Sequence, residues 1–175
     1  MGGAASVAVG ECVISRLSSG ALYHISMDDP MQKFGLARIS DAVRRQGAVC
    51  ASELTHAGMY CGRMMDPPQP GYGPVDFDDN GRPCYAMTEE QIEEVIELYA
   101  HAAYNAKQYG FGMAIVHAGH GWLLHQFISP YINTRTDKWG GPDIENRARL
   151  TVAVVDAIRK KCGPGFPIEV RISGS

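Results

Sequence analysis

Apolar positions along this chain follow two alternating patterns. Short continuous runs at residues 6–14, 48–54, 111–116 and 167–172 are rich in Val, Ile and Ala and read as buried strands. Between them, apolar residues recur every three or four positions, the spacing of one helix face. That spacing predicts helices over 34–46, ending at Gly47, over 88–109, and over 144–162. The middle helix is the best marked. Thr88 and Gln91 form a capping box, Glu89 and Glu90 lie at the positive end of the helix dipole, and Gly110 supplies the C-terminal cap. Ile92, Val95, Ile96, Tyr99, Ala102, Ala103 and Ala106 make its buried stripe. In the last helix Leu150, Ala153, Val154, Ala157 and Ile158 face inward. Residues 15–30 read as a polar loop, and 59–87, rich in Pro, Gly and Asp, as a long one.

Strand and helix in alternation, with apolar strands, predict an α/β fold on a parallel sheet. In such folds the loops after the strands carry the chemistry. No Gly-x-Gly-x-x-Gly follows any strand, which argues against a dinucleotide-binding sheet. Four strands are too few to close an eight-stranded barrel, which takes about 250 residues.

At 175 residues the chain is long enough for one domain with a sizeable core. A net charge of −3 without a basic stripe argues against a nucleic-acid partner. No apolar run approaches the roughly 20 residues of a membrane span. Met1–Ala5 has no basic region of the signal-peptide kind. Cys12, Cys50, Cys61, Cys84 and Cys162 are odd in number and scattered, which suits a reducing, cytoplasmic setting better than a disulfide framework.

The candidate chemistry sits where the run at 111–116 breaks into glycines: His117-Ala118-Gly119-His120-Gly121-Trp122. Positions three apart face opposite ways on a strand but return to one side in a turn, so both imidazoles could address one ligand atom. Packing or capping is the simpler role for a lone histidine there. Zinc is a further reading, since imidazole is a common metal ligand. It is disfavoured because the chain has neither His-Glu-x-x-His nor Cys-x-x-Cys, so no metal site is expected.

The longer stretch His117 to Pro130, followed by Asn133, Arg135-Thr136-Asp137, Gly140-Gly141 and Glu145-Asn146-Arg147-Ala148-Arg149, resembles the old yellow enzyme family. These are FMN-dependent NADH:flavin oxidoreductases and NADH oxidases on a (β/α)8 barrel. The likeness is to the bacterial enoate reductase and 2,4-dienoyl-CoA reductase type. Glu53-Leu54-Thr55-His56-Ala57-Gly58 is similar to the family's third-strand motif, and Ile168 to Ser173 to its fifth. The resemblance thus implies the second to fifth strand-helix units of the barrel, residues 1–175 forming a partial FMN-binding domain. The first strand would lie ahead of Met1. The phosphate-binding units would lie beyond Ser175, as would the iron–sulfur cysteines of larger members.

By the same resemblance, His117 and His120 would hydrogen-bond a substrate carbonyl. Glu53 stands where the family often has a glutamine at the flavin's pyrimidine edge. Arg171 matches an arginine beside the reduced flavin's negative charge, although an interior salt bridge with Glu53 or Glu11 is the simpler role. Gly10 and Glu11 would meet the flavin mainly through backbone. Trp122 occupies the place of a tyrosine that donates a proton in many members; an indole N–H is no practical general acid. His56 is expected to be structural, and Asn133, Arg135 and Asp137 to lock a loop. The implied activity is hydride transfer from NADH or NADPH through FMN to an enoate, enone or dienoyl substrate. An amine dehydrogenase or demethylase of the same superfamily is the alternative enzyme. An inert half-barrel that self-associates through its open strand edges is the alternative outside enzymology.

Overall fold

A computed structural model describes residues 2–21 and 24–174. Leu22 and Tyr23, within the loop expected at 15–30, lie outside the described residues, as do Met1 and Ser175. In chain order the elements are β1 (Ser6–Val13), β2 (Ile25–Ser26), α1 (Lys33–Arg44), β3 (Val49–Thr55), β4 (Gly71–Gly73), β5 (Phe77–Asp79) and β6 (Arg82–Ala86). They continue with α2 (Glu89–Gln108), β7 (Met113–Ala118), α3 (Leu123–Ile128), α4 (Ile144–Cys162) and β8 (Ile168–Ile172).

Five strands form one parallel sheet in the order β2-β1-β3-β7-β8. Apart from the two-residue β2 at the edge, the strands lie side by side in chain order with helices as crossovers, as in a segment of a (β/α) barrel. The pleat sorts the side chains. Along β3, Cys50 and Leu54 enter the apolar core, and along β7 so do Ala114, Val116 and Ala118. There they meet Ile92, Val95, Tyr99 and Ala103 of α2, which in turn packs on Leu150, Val154 and Ile158 of α4. The alternate residues Glu53, Thr55, Ile115 and His117 therefore project from the opposite face. The capping box at Thr88 and Gln91 is present, and the α2 stripe is buried apart from the partly buried Ile96.

Three expectations from the sequence are corrected. Residues 59–87 are not simply loop: they carry a three-stranded sheet in the order β4-β6-β5. Its strands are only three to five residues long and punctuated by Pro and Gly, so no alternation stands out. Arg82 organises this region instead. Its guanidinium binds the carbonyls of Met59, Cys61 and Gln69 and the Asp79 carboxylate. Second, the strand expected at 111–116 runs over Met113–Ala118, so His117 lies within it. Phe111 and Gly112 lead in, with Gly112 N–H donating to the Cys50 carbonyl at 2.8 Å. Third, a short helix, α3, follows Trp122 in what had read only as a motif.

Candidate functional site

Register places the site. Glu53 pairs with Ile115 across β3 and β7, and His117 pairs with Arg171 across β7 and β8. Ile115 and His117 are two apart, so Glu53, His117 and Arg171 share one sheet face near the C-terminal strand ends. The Arg171 guanidinium forms an ion pair with the Glu53 carboxylate. This is the interior salt bridge considered for Arg171, and it brings the two proposed flavin contacts together. Glu53 is buried within this pair, whereas Arg171 keeps 41% of its side chain exposed. Arg171 therefore retains donors for another partner.

Gly10 lies across from Glu53, and a Cβ there would collide with Glu53 Oε2. Only glycine lets backbone and carboxylate approach this closely.

The His117–His120 pair is built by a change of backbone direction. His120 adopts φ +55°, a left-handed conformation uncommon outside glycine. Its N–H is anchored to Ser173 Oγ at 3.0 Å. That turn brings His120 Nδ1 to 3.2 Å from His117 Nε2, the rings nearly perpendicular at 84°. His117 Nδ1 accepts from Gly119 N–H at 3.2 Å, so its proton sits on Nε2 and points at His120 Nδ1. His120 then carries its own proton on Nε2. His125, one turn into α3, accepts from Gly121 N–H at 2.7 Å and steadies the same turn. Gln126 stands beside it, donating to Gly121 O at 2.7 Å and to Ala57 O at 3.2 Å and accepting from Met59 N–H at 3.0 Å. The turns after β3 and β7 are thus tied into one rim. Spacing singled out neither His125 nor Gln126 nor Ser173, although each lies in a stretch that resembles a family motif.

A cleft of about 680 Å³ opens beside this rim. Gly10, Glu11, Thr55, Tyr60, His120 and Trp122 contribute to its wall. Glu53, His117 and Arg171 do not line it; His120, hydrogen-bonded to His117, and Gly10, against Glu53, connect them to it. Trp122 packs edge-on against Tyr60, with ring centroids 6.2 Å apart. Burial pushes the Glu11 carboxyl up from its usual range and Glu53 adds to this, while the Trp122 indole and His120 pull it down. Trp122 therefore contacts polar groups of the cleft as well as packing over it. Tyr60 was not singled out by the sequence, because it stands in the stretch that read as loop.

Asn133 and Arg135 act as expected. Asn133 is buried and bonds the carbonyls of Phe127 and Trp139 at 2.7 and 2.8 Å. Arg135 spans Asp137 and the carbonyls of Pro74 and Met87. His56 is buried and accepts from Gly58 N–H at 2.9 Å, consistent with a structural role. Among the described residues no group of three or more His, Cys, Asp or Glu is placed to hold a metal. No helix there is long and apolar enough to cross a membrane.

Burial holds His56 and His117 neutral, each with a pKa lowered from 6.5 to about 4; at His117 the neighbouring His120 and Arg171 add to the effect. An unfolded chain takes up protons at these positions as pH falls through about 6.5, whereas the folded chain waits until about 4. Stability is therefore lost progressively on acidification through that window, by something on the order of 1–3 kcal/mol per imidazole. Urea midpoints should fall between pH values above and within this window. A midpoint insensitive to pH there would contradict the buried, neutral state of both rings.

The model of the NADH:flavin oxidoreductase / NADH oxidase family matches residues 2–175. The chain belongs to this family. Among curated members it is 36% identical over 175 residues to a metal reductase of Desulforamulus reducens, covering 99% of this chain and 26% of that protein. It is 38% identical over 144 residues to an NADPH dehydrogenase of Bacillus licheniformis, covering 81% of this chain and 40% of the relative. The chain thus spans between a quarter and two-fifths of the length of these relatives. Among solved structures, morphinone reductase superposes with a TM-score of 0.86 at 29% identity, over 95% of this chain and 49% of its own. An Old Yellow Enzyme from Pichia sp. AKU4542 gives 0.84 at 31% identity, over 95% and 46%. The fold is that of these (β/α) barrels, and family membership makes this an oxidoreductase-family chain.

Proposed function

We propose that this chain forms part of an FMN-dependent oxidoreductase that passes hydride from NADH or NADPH to an alkene conjugated to a carbonyl. The observation that carries this reading is the row Glu53–His117–Arg171 on one sheet face, with the His120 N–H beside it at a cleft. The residues fit a flavin ring. Arg171, with 41% of its side chain exposed, offers a cation with unused donors beside the Glu53 carboxylate, and Gly10 and Glu11 line the cleft. When bound, the flavin would supply the hydride-transfer chemistry.

The chain's own contribution is electrostatic. His120 Nε2–H is a neutral donor that can address a carbonyl oxygen, and His117, whose Nε2–H donates to His120 Nδ1, holds that ring in the donating tautomer and reaches the same oxygen only by exchanging this bond for it. The pair stabilises negative charge developing on that oxygen more than it stabilises the resting carbonyl. Arg171 supplies a fixed positive charge one strand away. Neutrality of His117 matters because an imidazolium would bring an extra charge beside Arg171. Trp122 orients and excludes water; protonation of the α-carbon falls to water or to another group of the cleft.

The test is to load the protein with FMN and assay it anaerobically with NADH or NADPH against cyclohexenone and against a tertiary amine. Nicotinamide oxidation matched by saturated ketone is the expected result. Amine oxidation without alkene reduction would replace this reading with an amine dehydrogenase.

A further inference from the structure

A second cleft lies across the Arg16–Ser18 turn from the first, sharing Ser18 as a wall. Thr55 and His56 are consecutive at the end of β3, and the first lines one cleft while the second lines the other. The second cleft measures about 580 Å³, within the range that holds a small organic molecule. Leu17, Met65, Tyr72, Val95 and Leu98 give it mainly apolar walls.

His56 provides a polar group in this wall. It is only 8% exposed. Its Nδ1 accepts from Gly58 N–H at 2.9 Å and faces the Cys61 thiol at 3.6 Å, so its proton lies on Nε2. Among the described residues that N–H has no acceptor. His56 lines the cleft, and what remains of its surface opens there. A donor held this way regains a hydrogen bond when an acceptor enters.

The cleft is held in shape before any ligand arrives. Arg82 grips the carbonyls of Cys61 and Gln69 at 3.0 and 3.1 Å, and Gly62 N–H donates to Ser19 O at 2.9 Å. Preformed walls lower the ordering cost of binding. The charged lining residues are Arg16, Asp28 and Glu94. Two carboxylates against one guanidinium disfavour an anion.

We propose that this second cleft binds a small, neutral, mainly apolar molecule through one carbonyl oxygen that accepts a hydrogen bond from His56 Nε2. The site is independent of the flavin reading, since it uses none of the residues assigned to that chemistry.

The test uses the isotope-labelled 175-residue chain without flavin, titrated with benzylacetone and followed by heteronuclear NMR. Benzylacetone is a ketone with no activated alkene, so it reports binding and not turnover. Saturable shifts of the His56 ring and of the Gly58 and Gly62 amides are expected. Leu98→Trp, which fills the cleft without touching His56, should weaken them at least about tenfold, with the remaining spectrum showing the fold intact. Butylbenzene, which lacks the oxygen, should bind roughly fivefold or more weakly than the ketone, the worth of one hydrogen bond. Absence of shifts at millimolar ketone, shifts confined to His120 and Gly121, indifference to Leu98→Trp, or equal binding of the two probes would each overturn the proposal.

Discussion

Arg82→Met should destabilise the protein by about 3–5 kcal/mol, the usual cost of removing one partner of a buried ion pair. Arg82 is 8% exposed, and its partner Asp79 has a side chain only 11% exposed. Methionine would retain much of the apolar contact but none of the donors. The Asp79 carboxylate would lose its 3.0 Å partner, keeping only the more exposed Arg63 at 3.3 Å. The carbonyls of Met59, Cys61 and Gln69 would lose their shared donor as well. For a chain of this size the melting temperature should drop by roughly 10 °C, and limited proteolysis should cut first within residues 59–86. A loss below about 1 kcal/mol would mean that the Arg82 network is no better than a surface contact. Arg82→Lys should fall between the two, since an ammonium keeps the charge but cannot span the same set of acceptors.

The second large effect concerns the histidine pair. In the FMN-loaded protein, replacing either His117 or His120 with alanine should lower kcat/KM for an enone by about 10²–10³, the cost of losing one preorganised oxyanion donor or the ring that orients it. The double variant should lose less than the product of the two, because the rings are hydrogen-bonded at 3.2 Å and act as a unit. The asymmetry is informative. Removing His117 also frees Gly119 N–H and the contact to His120, so it should disturb the turn. Removing His120 takes away the donor that lines the cleft and leaves His117 in its strand. Reduction of the bound flavin by NADPH should change much less in both variants, since that step develops no charge on a substrate carbonyl. Wild-type alkene reduction in the double variant would remove the carbonyl clamp from the account.

The parts of this fold that were readable in the sequence are those with long-range periodicity. Helix α2 carries a complete set of local signals, from Thr88 to Gly110, and α4 was placed end to end. The parallel sheet followed from apolar strands alternating with helices. What escaped was set by few residues or by tertiary contact. Strand β2 is two residues long, and β4 to β6 are tied by Arg82, at the start of β6, to carbonyls 13 to 23 positions away. At the site, His117 and His120 were visible as a pair, but the device that joins them is a left-handed residue anchored by Ser173, 53 positions away. The Glu53–Arg171 pairing was open as one of two salt bridges; register across three strands decided it. Tyr60 and the cleft at His56 could not be seen, because both depend on how the turn after β3 packs against residues 15–19 and 61–70.

The central claim is that the sheet face bearing Glu53, His117 and Arg171 seats a flavin ring. Titrating the isotope-labelled chain with lumiflavin tests it most directly, because that ligand is the ring alone, without phosphate. The account predicts saturable NMR shifts at Gly10, Glu11, Glu53, His117 and Arg171, weakened at least about tenfold by Arg171→Ala. Shifts located elsewhere, or binding indifferent to Arg171, would contradict it.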